Sequence, residues 1–140
     1  MSKVAVVFWS ASGNTEAMAD AVVAGAQGAG AEVEKIEASA FDAGKAAEFD
    51  GIAFGCPAMG DEELEDSEFE PMFSAVKGSL GGKKVALFGS YGWGDGEWMR
   101  KWEASCQEDG IALAAESVIA CDAPDDDASE NCKKLGAALA

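Results

Sequence analysis

Four continuous apolar runs, each flanked by glycine and polar residues, restrict what this chain can fold into. They lie at 3–9, 51–56, 84–89 and 112–120. Runs this short, apolar without alternation, are typical of strands covered on both faces, the arrangement found in parallel sheets. A fifth segment, Glu32-Val33-Glu34-Lys35-Ile36-Glu37, is more polar and suits a sheet edge. Between the five lie stretches long enough for crossover helices. The clearest covers 14–28, with Thr15, Met18, Ala19, Val22 and Ala26 on one face and a stop at Gly28 or Gly30. Further helices are predicted near 42–48, 69–80, 97–109 and 125–139. Strand–helix alternation repeated five times gives an α/β, three-layer sandwich. Right-handed crossovers permit a five-stranded parallel sheet in order 2-1-3-4-5, with the polar second strand at an edge.

At 140 residues, 49% of them hydrophobic, the chain reads as one domain over 1–140 with no linker or repeat. No apolar run approaches the ~20 residues of a membrane span, and Lys3 is not followed by a signal-peptide pattern. A cytoplasmic protein is expected. Twenty-six acidic residues against ten basic ones give a formal charge of −16. Such a field repels nucleic acid and anionic membranes and attracts basic patches on partner proteins. Six of the eight residues from Asp61 to Glu68 are acidic; lacking calcium-loop spacing, they read as a solvated face. Cys56, Cys106, Cys121 and Cys132 form no CxxC pair, and histidine is absent. Zinc and iron–sulfur ligation lack their clustered ligands, so reduced, mostly buried thiols are expected, with Cys56 set apart by its place beside a loop.

Three of the apolar runs end in a glycine-and-polar segment. These are Ser10-Ala11-Ser12-Gly13-Asn14-Thr15, Gly55-Cys56-Pro57-Ala58-Met59-Gly60-Asp61-Glu62 and Ser90-Tyr91-Gly92-Trp93-Gly94-Asp95-Gly96. In an open parallel sheet the strand carboxyl ends share one edge, and ligands bind in the crevice there. The first segment opens a helix, where free amides and the macrodipole favour an anion. Gly13 permits a positive φ, and Ser10, Ser12, Asn14 and Thr15 add neutral donors. The same residues also serve as ordinary helix caps. Met59 and Trp93 offer apolar surface for a flat ring, although core filling and an exposed loop aromatic are the plainer roles for each. A P-loop requires a lysine that this turn lacks, and a dinucleotide fingerprint requires two more glycines. A receiver domain requires acids where this chain has Trp9-Ser10 and Gly55-Cys56. Trp98 and Trp102, four apart on a predicted helix, are assigned to packing, and Trp9 is placed beneath the first loop.

The combined pattern resembles flavodoxin, specifically the short-chain members of anaerobic, clostridial-type bacteria. The first loop fits [ST]-x-[ST]-G-N-T, with Ala11 where relatives often carry glycine. Residues 55–65 and 82–96 carry the closest likeness. The resemblance implies one non-covalent FMN and a role as a one-electron carrier. Apolar Met59 and Trp93, a first loop without a cation, and the −16 field would destabilise an anionic hydroquinone, so a low-potential carrier that shuttles between semiquinone and hydroquinone is expected. It implies phosphate contacts from Ser10, Ala11, Ser12, Gly13, Asn14 and Thr15. Pro57, Ala58, Met59, Gly60, Asp61 and Glu62 would meet the ring from one side, with Glu62 accepting from flavin N3–H. Trp93 would flank the face opposite Met59, the backbone around Ser90, Tyr91, Gly92 and Gly94 would meet the pyrimidine edge, and Asp95 completes the implied cofactor contacts. A redox-linked peptide flip is implied at Gly60–Asp61. The implied partners are basic docking surfaces of redox enzymes, met transiently by a monomer. The alternative is a small FMN-dependent NAD(P)H, quinone or azo reductase; a regulatory FMN domain is a third reading. Lack of histidine removes the commonest general acid near neutral pH and counts mildly against a dedicated catalytic proton relay, without preventing redox cycling.

Overall fold

The computed structural model describes residues 2–10, 13–59, 64–92 and 96–140. Five parallel strands run β1 (Lys3–Phe8), β2 (Glu32–Glu37), β3 (Gly51–Gly55), β4 (Lys84–Tyr91) and β5 (Val118–Cys121), in spatial order β2-β1-β3-β4-β5. The helices are α1 (Asn14–Gly28), α2 (Ala43–Ala46), α3 (Phe69–Val76), α4 (Glu97–Glu108) and α5 (Asp126–Leu139). The sandwich and the strand order agree with the expectation.

The central strands are continuous apolar runs because helices cover them on both faces. Val4, Val6 and Phe8 point to one layer with Met18, Val22 and Leu135, beneath α1 and α5. Ala5, Val7, Ile52 and Phe54 point to the other, beneath α2, α3 and α4. The second layer is aromatic. Phe73 meets Phe54 edge-on at 5.1 Å, and Trp102 meets Phe69 at 5.4 Å and Phe73 at 5.6 Å. Each such pair adds about 0.5–1.5 kcal/mol beyond area burial, which fixes α3 on the sheet and α4 against α3. Trp98 and Trp102 are both core, as their spacing predicts.

Polar β2 is an edge strand with only Ile36 buried. Lys35 stitches it to α1 through Glu16 at 2.8 Å and Asp20 at 2.7 Å. Those two side-chain bonds, Asp20 first, outweigh partial burial and raise the lysine pKa.

Two expectations change. The segment 112–120 is not one strand buried on both faces: β5 occupies only Val118–Cys121, and Ile119 lies 38% exposed. Upstream, Leu113 touches Val85 through a single bridge. Ala112, Ala114 and Ala115 present little surface to a neighbouring sheet, and Glu116 and Ser117 favour water. The helix predicted over 69–80 ends at Val76 and continues as a 3-10 turn, Lys77–Ser79. Gly78 in that turn is a poor helix former.

Candidate functional site

The strand carboxyl ends gather on one edge, and the crossovers diverge between β1 and β3. Trp9 continues the β1–β3 pairing by donating its N–H to the Gly55 carbonyl at 3.0 Å. The chain then turns through Gly13, whose φ is 92°, and α1 begins at Asn14. Ser10 Oγ accepts from the N–H of Gly13 at 3.0 Å and of Glu16 at 3.4 Å. Two donors at the helix start are thereby capped, while the serine keeps its own hydroxyl proton to give elsewhere. The cap and the anion-binding readings coexist in one residue. The Thr15 hydroxyl lies buried and bonds Ser90 Oγ at 2.7 Å, tying the first loop to the third.

The chain leaving β3 is locked to the last residues of β4 and to α4. The Cys56 N–H donates to Phe88 O at 3.2 Å and the Ala58 N–H to Ser90 O at 2.9 Å. The Trp98 indole N–H donates to Cys56 O at 3.2 Å. Gly89 makes this approach possible: a Cβ there would stand 2.2 Å from the Cys56 carbonyl oxygen. The Tyr91 ring leans on Trp98 at 5.4 Å between centroids.

One cleft of about 260 Å³ joins these parts, lined by Asn14, Pro57, Ala58, Met59, Ser90, Tyr91, Gly92 and Asp122. Each of the three sequence-predicted loops contributes to it. Ala11, Ser12, Gly60, Asp61, Glu62, Trp93, Gly94 and Asp95, also predicted for the site, lie outside the described residues. A larger cleft, about 450 Å³, lies near the start of β5 against α5, at the opposite end of the strand. It joins none of the three loops.

Asp122 was missed by sequence reasoning. It follows β5 directly, holds φ at 60°, and donates its N–H to Tyr91 O at 2.7 Å. The rule that strand carboxyl ends share an edge applies to β5 as well, and Cys121-Asp122-Ala123-Pro124 carries the turn chemistry to signal it.

Glu65 was misread. Within the acidic run it lies 4% exposed, not on a solvated face. Its carboxylate accepts from the N–H groups of Ser67 at 2.8 Å, Glu68 at 2.7 Å and Phe69 at 2.8 Å, and from the Ser67 hydroxyl. Glu65 therefore caps α3. Burial alone pushes its pKa up; the Ser67 hydroxyl and the three backbone donors outweigh that and hold it below the ordinary carboxylate value. Its neighbour Glu68 accepts from the Trp9 indole N–H at 3.3 Å.

All four cysteines are free thiols. Burial pushes Cys56 and Cys132 up to about 12 and Cys106 to about 11, so these three are inert near neutrality. Cys121, not Cys56, is the exposed one. Among the described residues no cluster of His, Cys, Asp or Glu could hold a metal ion.

These features define a doubly wound α/β protein with a ligand cleft at the topological switch point of its sheet. A family model described as flavodoxin matches residues 6–136. The flavodoxin of Megasphaera elsdenii is 45% identical over 137 residues, 98% of each chain. That of Clostridium beijerinckii is 42% identical over 135 residues, 96% of this chain and 97% of the other. The solution structure of two-electron reduced Megasphaera elsdenii flavodoxin superposes with a TM-score of 0.89 at 47% identity, covering 97% of both chains. The chain belongs to the flavodoxin family. It is accordingly an FMN-binding electron carrier that serves redox partner proteins, and the reductase alternative is not favoured.

Proposed function

We propose that this chain is a single FMN-binding domain over 1–140 that works as a low-potential, one-electron carrier. Bound FMN supplies a ring that takes up two electrons in separate steps. One observation carries the reading: the cleft joins Asn14, Pro57–Met59 and Ser90–Gly92 at one sheet edge, and Asp122 is the only charged residue lining it among those described.

The residues present suit the two ends of the cofactor. The start of α1 offers amides, the positive end of a helix and the hydroxyl proton of Ser10, which suits a phosphate. Ser12, Gly13, Asn14 and Thr15 complete that end of the proposal. Half-buried Met59 and Tyr91, with Gly92 beside them, give the other end an apolar wall and close backbone approach. Trp93 opposite Met59, Glu62 toward N3–H, and the backbone at Gly94 follow from the family resemblance.

Charge sets the direction of the potential. Neither lysine nor arginine lines the cleft among the described residues, Asp122 does, and the whole chain carries −16. Added negative charge on the ring is therefore poorly compensated, and each tenfold loss of compensation corresponds to about 1.4 kcal/mol. The same field favours transient, salt-sensitive docking to basic surfaces of redox enzymes. A monomer in the cytoplasm fits this role; among the described residues no helix is long and apolar enough to cross a membrane.

Anaerobic stepwise reduction of the FMN-loaded protein, followed by visible absorption, tests the proposal. Two separated one-electron steps, the second at strongly negative potential, are expected. A single two-electron step would overturn the one-electron reading.

A further inference from the structure

The chain that leaves β3 at Cys56 and returns at Glu65 is fastened at both ends by the same pair of residues. Cys56 Sγ lies fully buried, donates to Pro57 O and accepts from the Glu65 N–H, each at 3.4 Å. Glu65 then turns its carboxylate onto Ser67, Glu68 and Phe69, and its carbonyl oxygen accepts from the Glu70 N–H at 2.9 Å. Cys56 is itself held by Phe88 O and by the Trp98 indole. The eight residues from Pro57 to Leu64, Met59 among them, thus connect a fixed strand end to a fixed helix start.

Glu65 is the one carboxylate buried among the described residues, and it spends four accepted bonds there. A neutral cap such as serine would satisfy one or two of those donors; only an ionised carboxylate offers enough lone pairs for all four. Capping α3 alone does not require this much, since the cap of α5, Asp125, accepts from a single N–H, that of Ala128. The surplus goes to Ser67, in the turn that joins the Cys56 contact at Glu65 to the start of α3.

We propose that Cys56 and Glu65 form a clasp that positions the Met59-bearing segment, so that Glu65 is a positioning residue for FMN affinity and for the spacing of the two one-electron potentials. This rests on the FMN reading above. Replacing the carboxylate with an isosteric amide puts an N–H₂ where one acceptor oxygen stood, so two of the four accepted bonds are lost and the helix-side fastening loosens without changing the segment's length.

The test uses three variants of the full chain. Glu65→Gln breaks the bonds accepted by one of the two carboxylate oxygens, Cys56→Ala removes the sulfur contact, and Val76→Ala weakens the far end of α3 while leaving the clasp intact. FMN titration of the apoprotein, the gap between the two potentials of the loaded protein, and thermal unfolding of the apoprotein are read together. Glu65→Gln is expected to weaken FMN binding about tenfold and to change the gap. Cys56→Ala should move both in the same direction by less, and Val76→Ala should move only the unfolding temperature. If Glu65→Gln does not fold, Cys56→Ala against Val76→Ala carries the comparison. Clasp variants that shift unfolding but match Val76→Ala in FMN affinity and potential gap would overturn the clasp alone. A wild-type chain that retains no FMN would overturn the functional reading and the clasp with it.

Discussion

The two ends of the cleft are built in different ways. At the α1 end, the turn is made within one short stretch: Ser10 Oγ reaches Gly13 and Glu16, and Gly13 supplies the left-handed φ. At the β3–β4 end, bonds join residues remote in sequence: Trp98 to Cys56, Ala58 to Ser90, Asp122 to Tyr91. Thr15 to Ser90 is the tie between them. A locally built end can be weakened without disturbing its surroundings, because few other contacts depend on it. An end assembled from distant segments fails together with the packing that brings them there.

That contrast is most easily broken at Gly89. Gly89→Ala places a Cβ 2.2 Å from Cys56 O, on the seam between β3 and β4. We expect a loss of about 2–3 kcal/mol in urea unfolding of the apoprotein, as for overpacking that the backbone must absorb, together with loss of FMN. An unchanged unfolding midpoint would show that the seam yields more readily than its geometry implies.

Gly13→Ala sharpens the comparison from the other side. Among the described residues, the chain neighbours of Gly13 aside, no atom lies within 4 Å of the new Cβ, so the cost is conformational, about 1–2 kcal/mol for a φ of 92°. Titrations should show FMN affinity falling while that for riboflavin, which lacks the phosphate, hardly moves. Ser10→Ala removes the two-amide cap and should cost about 1 kcal/mol in the same unfolding assay, again with FMN affected more than riboflavin. Equal effects on both ligands would mean that the α1 end does not hold the phosphate.

A subtler effect follows from Glu65 and pH. Its pKa is held below the ordinary value of 4.5 in the folded chain. The stability it contributes is therefore present above 4.5 and lost as pH falls through the lowered folded value. Unfolding of wild type and Glu65→Gln, measured from neutrality downward, should show a gap that is constant above that range and narrows in acid. A gap independent of pH would mean that the carboxylate's charge contributes nothing to the cap.

The same contrast explains what could be read from the sequence. Strands β1, β3 and β4 announce themselves because burial on both faces leaves no polar residue within Val4–Phe8, Ile52–Phe54 and Val85–Gly89. Helix α1 is legible to within two residues of its end because its apolar stripe and the Gly28/Gly30 stop are local signals, and the structure ends it at Gly28. Ser10 and Gly13 follow from the same stretch. Glu65 could not be told from its five acidic neighbours, since what buries it is the return of the chain to Cys56, a contact with no sequence signature. Asp122 was hidden because β5 is short and half exposed, and its alanine-rich approach resembles a strand more than it acts as one.

The central claim is that one cleft holds a flavin by two separate ends. Parallel titration of the apoprotein with FMN and riboflavin, followed by flavin fluorescence, tests it most directly. One FMN should bind per chain with its fluorescence quenched, and riboflavin should bind at the same site at least tenfold more weakly, a difference of about 1.4 kcal/mol or more. Equal affinity for the two, or no saturable binding of FMN, would contradict it.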